Sequence, residues 1–454
     1  MRYKSTRGGV TDVSFKDAVI MGLAHDGGLL LPESIPDVAP LLDSWVDLSY
    51  QQLAHEVMSC FVDDIEDEIL KEIIERSYST FKHSDITPVR RVGGVHILEL
   101  FHGPTLAFKD VALQFLGNVF EHILNERNTR ANILGATSGD TGSAAIAGIR
   151  GKQNIHIYIM FPQGKTSATQ ELQMTSVLDE NVHNIAIEGN FDDCQSLMKT
   201  IFSDLTFKEQ YGLAAVNSVN WARILAQIVY YFSAYYQLGR PAEFDVCVPT
   251  GNFGNIFAGY VAKKMGLPIR RLILATNEND ILARFFNSGI YERGLISFTH
   301  SPAMDIQIAS NFERYLYYQC DQNTEKLTEF MLAFAETGKA VQLFNSDRFD
   351  ESILAAAVSN DETIATIRRY HAQHSYLVDP HTAVGLTVAE QFKDTSVPLL
   401  SLSTAHPAKF DNVMTLALPD VAVNHPTLDA LNGLPTRKTV LPVSIEAVKA
   451  LIRE

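Results

Sequence analysis

Short β-branched runs alternate with longer helical patterns from about residue 90 onward, and this alternation constrains the fold of the 454-residue chain more than any other feature. Between the runs, apolar residues recur at three-to-four spacing, as in helices that cover a sheet. The rhythm is typical of a sheet with many parallel strands and helical crossovers. We therefore predict an α/β protein with strands at residues 95–100, 132–136, 155–161, 182–187, 244–248, 271–275 and 397–402.

The N-terminal region lacks this alternation. Apolar residues at helical spacing predict helices there, over residues 15–23, 50–61 and 65–81. We predict three parts of the chain: a helical N-terminal region over residues 1–90, a small α/β domain over residues 107–205, and a large α/β domain made of residues 91–106 and 206–454. Because ligands bind at the carboxyl ends of strands in open α/β sheets, the loops after the strands are where chemistry is expected.

Charge, cysteine spacing and hydropathy exclude several classes of protein. The formal net charge of −16 gives no general attraction for DNA or RNA, so any bound anion must meet a local site. The four cysteines show neither a CxxC pair nor metal-ligand spacing, which argues against a disulfide framework and a metal site. The cysteine pattern fits a reducing cytoplasm best, and because no stretch reaches about 18 uninterrupted apolar residues, we expect no membrane segment.

Lys109 has an unusual setting for a lysine. The segment GPTLAFKD (residues 103–110) leads from a predicted strand through a Gly-Pro turn into a helix, and Lys109 stands at the helix start. A helix N-terminus favours anions and the neighbours Phe101, Leu106 and Phe108 are apolar, so the pKa of this amine should be lowered. Such an amine is a good nucleophile. The alternative is an ordinary solvated lysine at a helix end.

A second loop has the composition of a phosphate site. The predicted strand at residues 244–248 is followed by PTGNFGN (residues 249–255) and a helix over residues 256–265. Gly251 and Gly254 permit positive φ and close approach, so successive backbone N–H groups can converge on a phosphate beside the helix N-terminus. The alternative is a tight strand-to-helix turn. A nucleotide P-loop is disfavoured because no GxxxxGK[ST] follows any strand.

In their order along the chain, these motifs resemble the threonine synthases among the fold type II pyridoxal-phosphate enzymes. Further similar segments are YKSTRG (residues 3–8), GLAHDGGL (residues 22–29) and DPHTAVG (residues 379–385). The resemblance spans nearly the whole chain and looks most like the bacterial and fungal branch. It implies a tryptophan-synthase-β-like fold with two α/β domains of largely parallel sheet, a helical N-terminal region, and pyridoxal 5'-phosphate as the cofactor.

The resemblance also implies which residues hold the cofactor. Lys109 would bind it covalently and move protons in catalysis. The GNFGN loop would bind its phosphate, through Gly251, Asn252, Phe253, Gly254 and Asn255. In the loop STAHPAK (residues 403–409), the Thr404 hydroxyl would bond the pyridine nitrogen, which it can do without keeping that nitrogen protonated. A helix-capping role for Thr404 is the alternative.

The implied reaction converts O-phospho-L-homoserine and water to L-threonine and phosphate, the last step of threonine biosynthesis, by a carbon–oxygen lyase acting on phosphates. The loop TSGDTGS (residues 137–143) would face the amino-acid part of the substrate. The substrate phosphate needs further donors, which two stretches after residues 161 and 216 can supply. The predicted substrate residues are Ser138, Asp140, Thr141, Lys165, Asn217, Ser218, Asn220 and Arg223.

Two alternatives and one open question remain at the level of sequence. A threonine or serine dehydratase, or a cysteine synthase, would share the fold without binding a γ-phosphate. A catalytically silent protein that binds a phosphate ligand would keep the scaffold, although the intact Lys109 and GNFGN argue against this. The partner is expected to be the small-molecule substrate rather than nucleic acid or membrane. Whether the protein is a monomer or a dimer is left open.

Overall fold

Helices and strands alternate as predicted in the computed structural model, which describes residues 1–341 and 350–453. The strands are β1 (Tyr3–Ser5), β2 (Leu30–Pro32), β3 (Val89–Val92), β4 (Val95–Glu99), β5 (Ala131–Ala136), β6 (Ile155–Pro162), β7 (Val182–Ile187), β8 (Leu213–Ala214), β9 (Phe244–Pro249), β10 (Ile269–Thr276), β11 (Ile290–Glu292), β12 (Lys339–Val341), β13 (Ile353–Ala357), β14 (Leu399–Ser403) and β15 (Thr439–Leu441). All seven strands predicted from the sequence are therefore confirmed, with small differences at their ends.

The helices complete the alternation. The α-helices are α1 (Phe15–Met21), α2 (Tyr50–Ser59), α3 (Asp67–Tyr78), α4 (Lys109–Arg127), α5 (Asp140–Ile149), α6 (Ala168–Thr175), α7 (Phe191–Ser203), α8 (Leu205–Gln210), α9 (Trp221–Gln237), α10 (Gly254–Lys264), α11 (Ile281–Ser288), α12 (Phe312–Gln319), α13 (Thr324–Thr337), α14 (Asn360–His374), α15 (Pro380–Gln391), α16 (Asp411–Ala417), α17 (Pro426–Asp429) and α18 (Ile445–Arg453). Short 3-10 helices cover Ala39–Trp45, Pro302–Met304 and Pro407–Lys409.

The larger sheet has six strands in the order β13-β10-β9-β14-β4-β3, parallel except for β3. The edge strand β3 was not predicted, because its sequence VRRV carries two arginines and is largely exposed. Strands β4, β14 and β9 are neighbours, with Ser403 paired to Glu99 and Ser401 paired to Cys247. Three of the motif loops therefore leave the same edge of the sheet side by side.

The smaller sheet has five parallel strands in the order β15-β7-β6-β5-β8. Two of them, β8 and β15, lie in residues 206–454, which the sequence assigned to the large domain, so that assignment was wrong for these segments. Both strands are too short, at two and three residues, to leave a hydrophobic run. The terminal helix α18 follows β15 and packs Val448 and Ile452 into the core of the smaller sheet.

The predicted N-terminal helices are confirmed as α1, α2 and α3, and they share a core with the rest of the chain. Tyr3 and Phe61 both contact the ring of Trp221 at the start of α9. The buried Arg314 donates hydrogen bonds to the carbonyl oxygens of Leu30 and Val219, at 2.8 Å and 2.5 Å. The N-terminal region is thereby fixed against the helix whose first turn carries Arg223.

Three structural absences apply to residues 1–341 and 350–453. No helix in this part of the chain is long and apolar enough to cross a membrane. No group of three or more metal-ligating side chains occurs in it. The four cysteines, all of which fall within it, are free thiols.

Candidate active site

Lys109 is held at the entrance of α4 by a rigid turn. Asp110 accepts hydrogen bonds from the backbone N–H and the hydroxyl of Thr105, at 2.8 Å and 2.6 Å. The N–H of Phe108 donates to the carbonyl oxygen of Thr404, at 2.7 Å, which ties this turn to the loop after β14. Lys109 itself is buried. The structure therefore excludes the solvated-lysine alternative.

Burial, opposed by one carboxylate and assisted by two cations, lowers the pKa of Lys109. Burial lowers the pKa of Lys109, the Asp140 carboxylate raises it, and the cations Lys409 and Arg223 lower it further, so that the pKa lies below its ordinary value. Its Nζ lies 3.6 Å from an oxygen of Asp140. The lowered pKa agrees with the expectation from the sequence, although the charged neighbours were not foreseen.

Asp140 is the centre of a buried polar cluster. It accepts hydrogen bonds from Nζ of Lys409 at 2.9 Å and from the Gln170 side chain at 3.0 Å. Burial raises the pKa of Asp140, but Lys409 and then Lys109 lower it well below its usual range, so the group is a carboxylate. Lys409 also donates to the carbonyl oxygen of Thr105 at 2.6 Å. The sequence did not single out Lys409 or Gln170, because their partners lie far away along the chain.

The rest of the TSGDTGS loop has two kinds of position. The Thr137 hydroxyl accepts hydrogen bonds from the N–H groups of Gly139 and Gly142, at 3.0 Å and 2.9 Å. These two bonds fix the backbone conformation of the loop. Ser138 is exposed and Thr141 is half-buried at the start of α5. These two side chains are therefore on the accessible side of the loop, as a role toward a substrate requires.

The GNFGN loop follows β9 and opens α10, as predicted, but its backbone differs from the expectation. The residue with positive φ is Phe253, at 64°, and neither Gly251 nor Gly254 has it. Phe253 is buried against the rings of Phe286 and Phe312, and this packing offsets the cost of a left-handed conformation. Gly251 and Gly254 instead allow Ala303 and Asn311 to pack close to the loop backbone.

Asn255 lies in the first turn of α10 and carries a side-chain amide at the N-terminus of that helix. The hydroxyls of Tyr230 and Tyr231 donate to its side-chain oxygen, at 2.5 Å and 3.0 Å, and so fix the orientation of the amide. Its side-chain nitrogen is buried and has no hydrogen-bond partner among the described residues. A buried donor without a partner at a helix N-terminus is suited to an anion.

Thr404 directly follows β14 and does not cap a helix. Its N–H donates to the hydroxyl of Thr382, at 3.2 Å, and Thr382 in turn donates to Asp379. The short helix that follows, Pro407–Lys409, is capped by the ring nitrogen Nδ1 of His406. The helix-capping alternative for Thr404 was therefore wrong, because His406 takes that role.

His381 links the segment that begins α15 to the backbone of Ala303. Its Nδ1 lies 2.9 Å from a carboxylate oxygen of Asp379, and its Nε2 accepts the N–H of Ala303 at 3.2 Å. A ring that donates through one nitrogen and accepts through the other is neutral, with the proton on Nδ1. The ring therefore has a structural role that holds Ala303 next to Gly251.

The predicted residues for the substrate phosphate divide into two groups. Arg223 lies in the first turn of α9, is buried, and its Nε has no hydrogen-bond partner within residues 1–341 and 350–453. Burial lowers the pKa of Arg223 to about 10, and no charged group among the described residues opposes this shift. A half-buried neighbour, Asn217, also has an unpartnered side-chain oxygen. These two side chains are available to a ligand.

The other predicted phosphate residues have less suitable settings. Both polar atoms of the Asn220 side chain are engaged, because its oxygen caps α9 and its nitrogen donates to the carbonyl oxygen of Val19 at 2.8 Å. The Ser218 hydroxyl is paired with that of Ser310 at 2.8 Å. Lys165 is exposed in the loop after β6. Asn220 therefore serves as a helix cap. The position of Lys165 gives no support for its predicted role as a phosphate ligand.

The chemistry of these loops fits pyridoxal phosphate, the cofactor that the motifs imply. A buried lysine with a lowered pKa can condense with its aldehyde. A helix N-terminus with an unpartnered donor on Asn255 can hold its phosphate. A Cβ at Gly251 would lie 2.8 Å from the carbonyl oxygen of Ala303, so any residue other than glycine would force the loop backbone to shift.

Comparisons with known proteins agree with this fit. The chain matches three family models: threonine synthase N terminus over residues 2–78, pyridoxal-phosphate dependent enzyme over residues 86–399, and threonine synthase, C-terminal, over residues 382–452. It is 47% identical to the threonine synthase of Schizosaccharomyces pombe, with 92% of this chain and 89% of that protein covered. It is 46% identical to the threonine synthase of Pseudomonas aeruginosa, with 100% and 98% covered.

A solved structure extends the similarity to three dimensions. The PLP-bound threonine synthase from Brucella melitensis matches with a TM-score of 0.97 and 43% identity, covering 100% of this chain and 99% of that chain. The predicted fold type II architecture and the predicted cofactor are confirmed by these similarities. Because both the family models and full-length relatives agree along the whole sequence, the chain belongs to the threonine synthase family of pyridoxal-phosphate-dependent enzymes.

Proposed function

We propose that this enzyme converts O-phospho-L-homoserine and water to L-threonine and phosphate. The observation that carries this proposal is the buried guanidinium of Arg223, whose Nε has no hydrogen-bond partner in the described part of the chain. Its charge acts on Lys109, so it lies within electrostatic range of the reactive amine. The cofactor phosphate has its own loop at the start of α10. Arg223 is therefore free to bind a second phosphate, that of the substrate.

The cofactor supplies an aldehyde that a lysine can bind and a ring that withdraws electrons from the substrate carbon next to it. We assign Lys109 to the covalent bond, Gly251, Asn252, Phe253, Gly254 and Asn255 to the phosphate, and Thr404 to the ring nitrogen. A hydroxyl at that last position stabilises a neutral ring nitrogen, whereas a carboxylate would favour its protonation.

In catalysis, Lys109 is the group that moves protons. The reaction requires loss of protons from Cα and Cβ, departure of the γ-phosphate, protonation at Cγ and addition of water at Cβ. An amine whose pKa is lowered toward the working pH accepts and returns protons more readily than an ordinary lysine. Asp140, 3.6 Å from Nζ of Lys109, stabilises the protonated form at the moments when the amine carries a proton.

The substrate is oriented by groups on both sides of Lys109. We assign its phosphate to Arg223 and Asn217, with Ser218 as a further donor if its hydroxyl leaves Ser310, and its amino-acid part to Ser138 and Thr141. The stretch that contains Ser218 is connected to the cofactor loop through Asn311, whose side-chain nitrogen donates to the carbonyl oxygens of Ser218 at 3.1 Å and Asn252 at 3.2 Å. Asn220 and Lys165 were also predicted as phosphate ligands, and we keep them only as outer members of this site.

Gly251→Ala tests the cofactor loop. The new Cβ would lie 2.8 Å from the backbone oxygen of Ala303 and 3.2 Å from Cα of Met304, so the loop must shift. We expect the Kd for pyridoxal phosphate to rise about tenfold, because overpacking of this size costs about 1–3 kcal/mol. The measurement is a fluorescence titration of the cofactor-free protein. Gly294→Ala is the control, since its Cβ meets only side-chain ends at 3.5 Å or more, and an equal Kd change in both would contradict the assignment.

The product assay tests the function itself. Purified enzyme with pyridoxal phosphate is given O-phosphohomoserine, and both phosphate and threonine are measured. We expect equal amounts of the two products, and no ammonia or keto acid from threonine or serine. Phosphate without threonine would indicate abortive elimination. Turnover of threonine or serine alone would identify a dehydratase, and no turnover of any of them would favour a protein that only binds a phosphate ligand.

We also propose that the enzyme works in a reducing compartment such as the cytoplasm. The four cysteines are free, and Cys194, Cys247 and Cys320 are buried. Burial raises the pKa of Cys247 and of Cys194, which keeps these thiols protonated and unreactive.

A further inference from the structure

Lys409 has no role in the assignments above, although it is fully buried beside Lys109. It belongs to the short helix after β14, in the larger sheet, and its Nζ reaches Asp140 at the end of the loop after β5, in the smaller sheet. The same Nζ donates to the carbonyl oxygen of Thr105, in the turn that carries Lys109. One ammonium group thus joins three loops that meet at the reactive amine.

The Asp140 carboxylate stands between two lysines at unequal distances. Its nearest oxygens lie 2.9 Å from Nζ of Lys409 and 3.6 Å from Nζ of Lys109. A carboxylate paired with one ammonium attracts the proton of a second amine less strongly. Lys409 also repels a proton on Lys109 directly, as does Arg223. In the described part of the chain, Asp140, Lys409 and Arg223 are the charged groups that act on Lys109.

We propose that Lys409 is a positioning residue that keeps Lys109 unprotonated by taking the charge of Asp140. Without Lys409, Asp140 would form its ion pair with Lys109 instead, and the amine would be a poorer nucleophile. The proposal rests on the proposed role of Lys109 as the cofactor lysine. It also gives Asp140 a function, which is to balance the two lysines rather than to contact the substrate.

The test follows the pH dependence of cofactor capture. The neutral amine of Lys109 adds to the aldehyde carbon of pyridoxal phosphate, a carbon–nitrogen double bond forms and water leaves, so the rate follows the unprotonated fraction. The full-length protein is freed of cofactor, mixed with pyridoxal phosphate, and its absorbance change is recorded from pH 6 to pH 10. This readout does not depend on turnover.

In Lys409→Gln we expect the pH midpoint of capture to rise by about one unit or more, because Asp140 is then paired with Lys109 alone and an opposite charge this close raises an amine pKa by about that amount. At pH values below the midpoint, capture should then slow about tenfold. Lys409→Arg keeps the charge, and we expect its midpoint to stay within about 0.3 units of wild type. A Lys409→Gln profile that is slower at every pH, with an unchanged midpoint, would overturn the proposal and indicate a purely structural bridge.

Asp140→Asn gives an independent reading should Lys409→Gln fold poorly, which circular dichroism would reveal. Removing the carboxylate should lower the midpoint, and the double variant Asp140→Asn/Lys409→Gln should cancel most of the rise. An unshifted Asp140→Asn would also overturn the proposal. Capture that persists in Lys109→Ala would instead contradict the role of Lys109, so the two failures are distinguishable.

Discussion

Lys109→Ala is expected to lower the turnover of O-phosphohomoserine by at least about 10³-fold, because one side chain both binds the cofactor and transfers several protons. The loss should appear in phosphate and threonine together, since both depend on the same proton transfers. We expect pyridoxal phosphate to bind the variant still, through the loop at the start of α10, but without the absorbance change that marks condensation with an amine.

Lys263→Ala is the matched control for this experiment. Lys263 is also a partly buried lysine whose pKa is lowered by burial, but its Nζ donates to the carbonyl oxygens of Ile269 and Arg270, both at 2.7 Å. It lies at the far end of α10 from the cofactor loop. We expect Lys263→Ala to lower stability and to leave kcat within about twofold of wild type.

Chemical rescue separates the two roles of Lys109. A small primary amine such as methylamine can enter the space that the alanine leaves and transfer protons there. We expect it to restore part of the turnover in Lys109→Ala, more strongly at higher pH where the free amine is abundant. If Lys109→Ala retains more than about a tenth of wild-type activity without added amine, the catalytic assignment of Lys109 is wrong.

The sequence predicted the elements that carry their own local signal. The buried strands β9 and β14 are short, mostly apolar runs, and the turn before α4 contains a Gly-Pro pair, so both could be placed without knowledge of the fold. The same local signal located Lys109 at the first residue of its helix. The resemblance to a family then supplied the roles that pattern alone could not give.

Contacts between residues far apart in the sequence could not be predicted, because they leave no local sequence pattern. Lys409 donates to the carbonyl oxygen of Thr105 across 304 residues of chain, and no pattern near either residue records that contact. The short strand β15 carries no hydrophobic run, because two of its three residues are exposed. The positive φ at Phe253 was missed since glycines usually take it, and only the surrounding rings make it favourable there.

Arg223→Met is expected to have opposite effects on binding and on stability. We expect the KM for O-phosphohomoserine to rise about 100-fold, because the variant loses the charge-assisted bonds to the substrate phosphate. In the absence of substrate and phosphate, we expect the free energy of unfolding to rise by about 1–3 kcal/mol. The reason is that burial lowers the pKa of Arg223 to about 10, and no charged partner within residues 1–341 and 350–453 compensates for the lost hydration.

Arg314→Met is the matched control, because Arg314 is an arginine of equal burial with its partners present. Burial lowers the pKa of Arg314 to about 9, yet its guanidinium donates to Leu30, Val219 and Asn311. Removing it leaves buried carbonyl oxygens without donors, so we expect the free energy of unfolding to fall by about 3 kcal/mol. Both variants are measured by urea unfolding, and the KM by phosphate release.

The sign of the stability change decides what Arg223 does. Functional sites often keep buried charges that lower stability, so a stabilised variant with a raised KM would mark Arg223 as a functional residue. Loss of stability equal to that of Arg314→Met, with an unchanged KM, would show that Arg223 is part of the scaffold. The substrate phosphate would then have to be bound by Asn217, Ser218 and the first turn of α5, and the corresponding single variants would raise the KM instead.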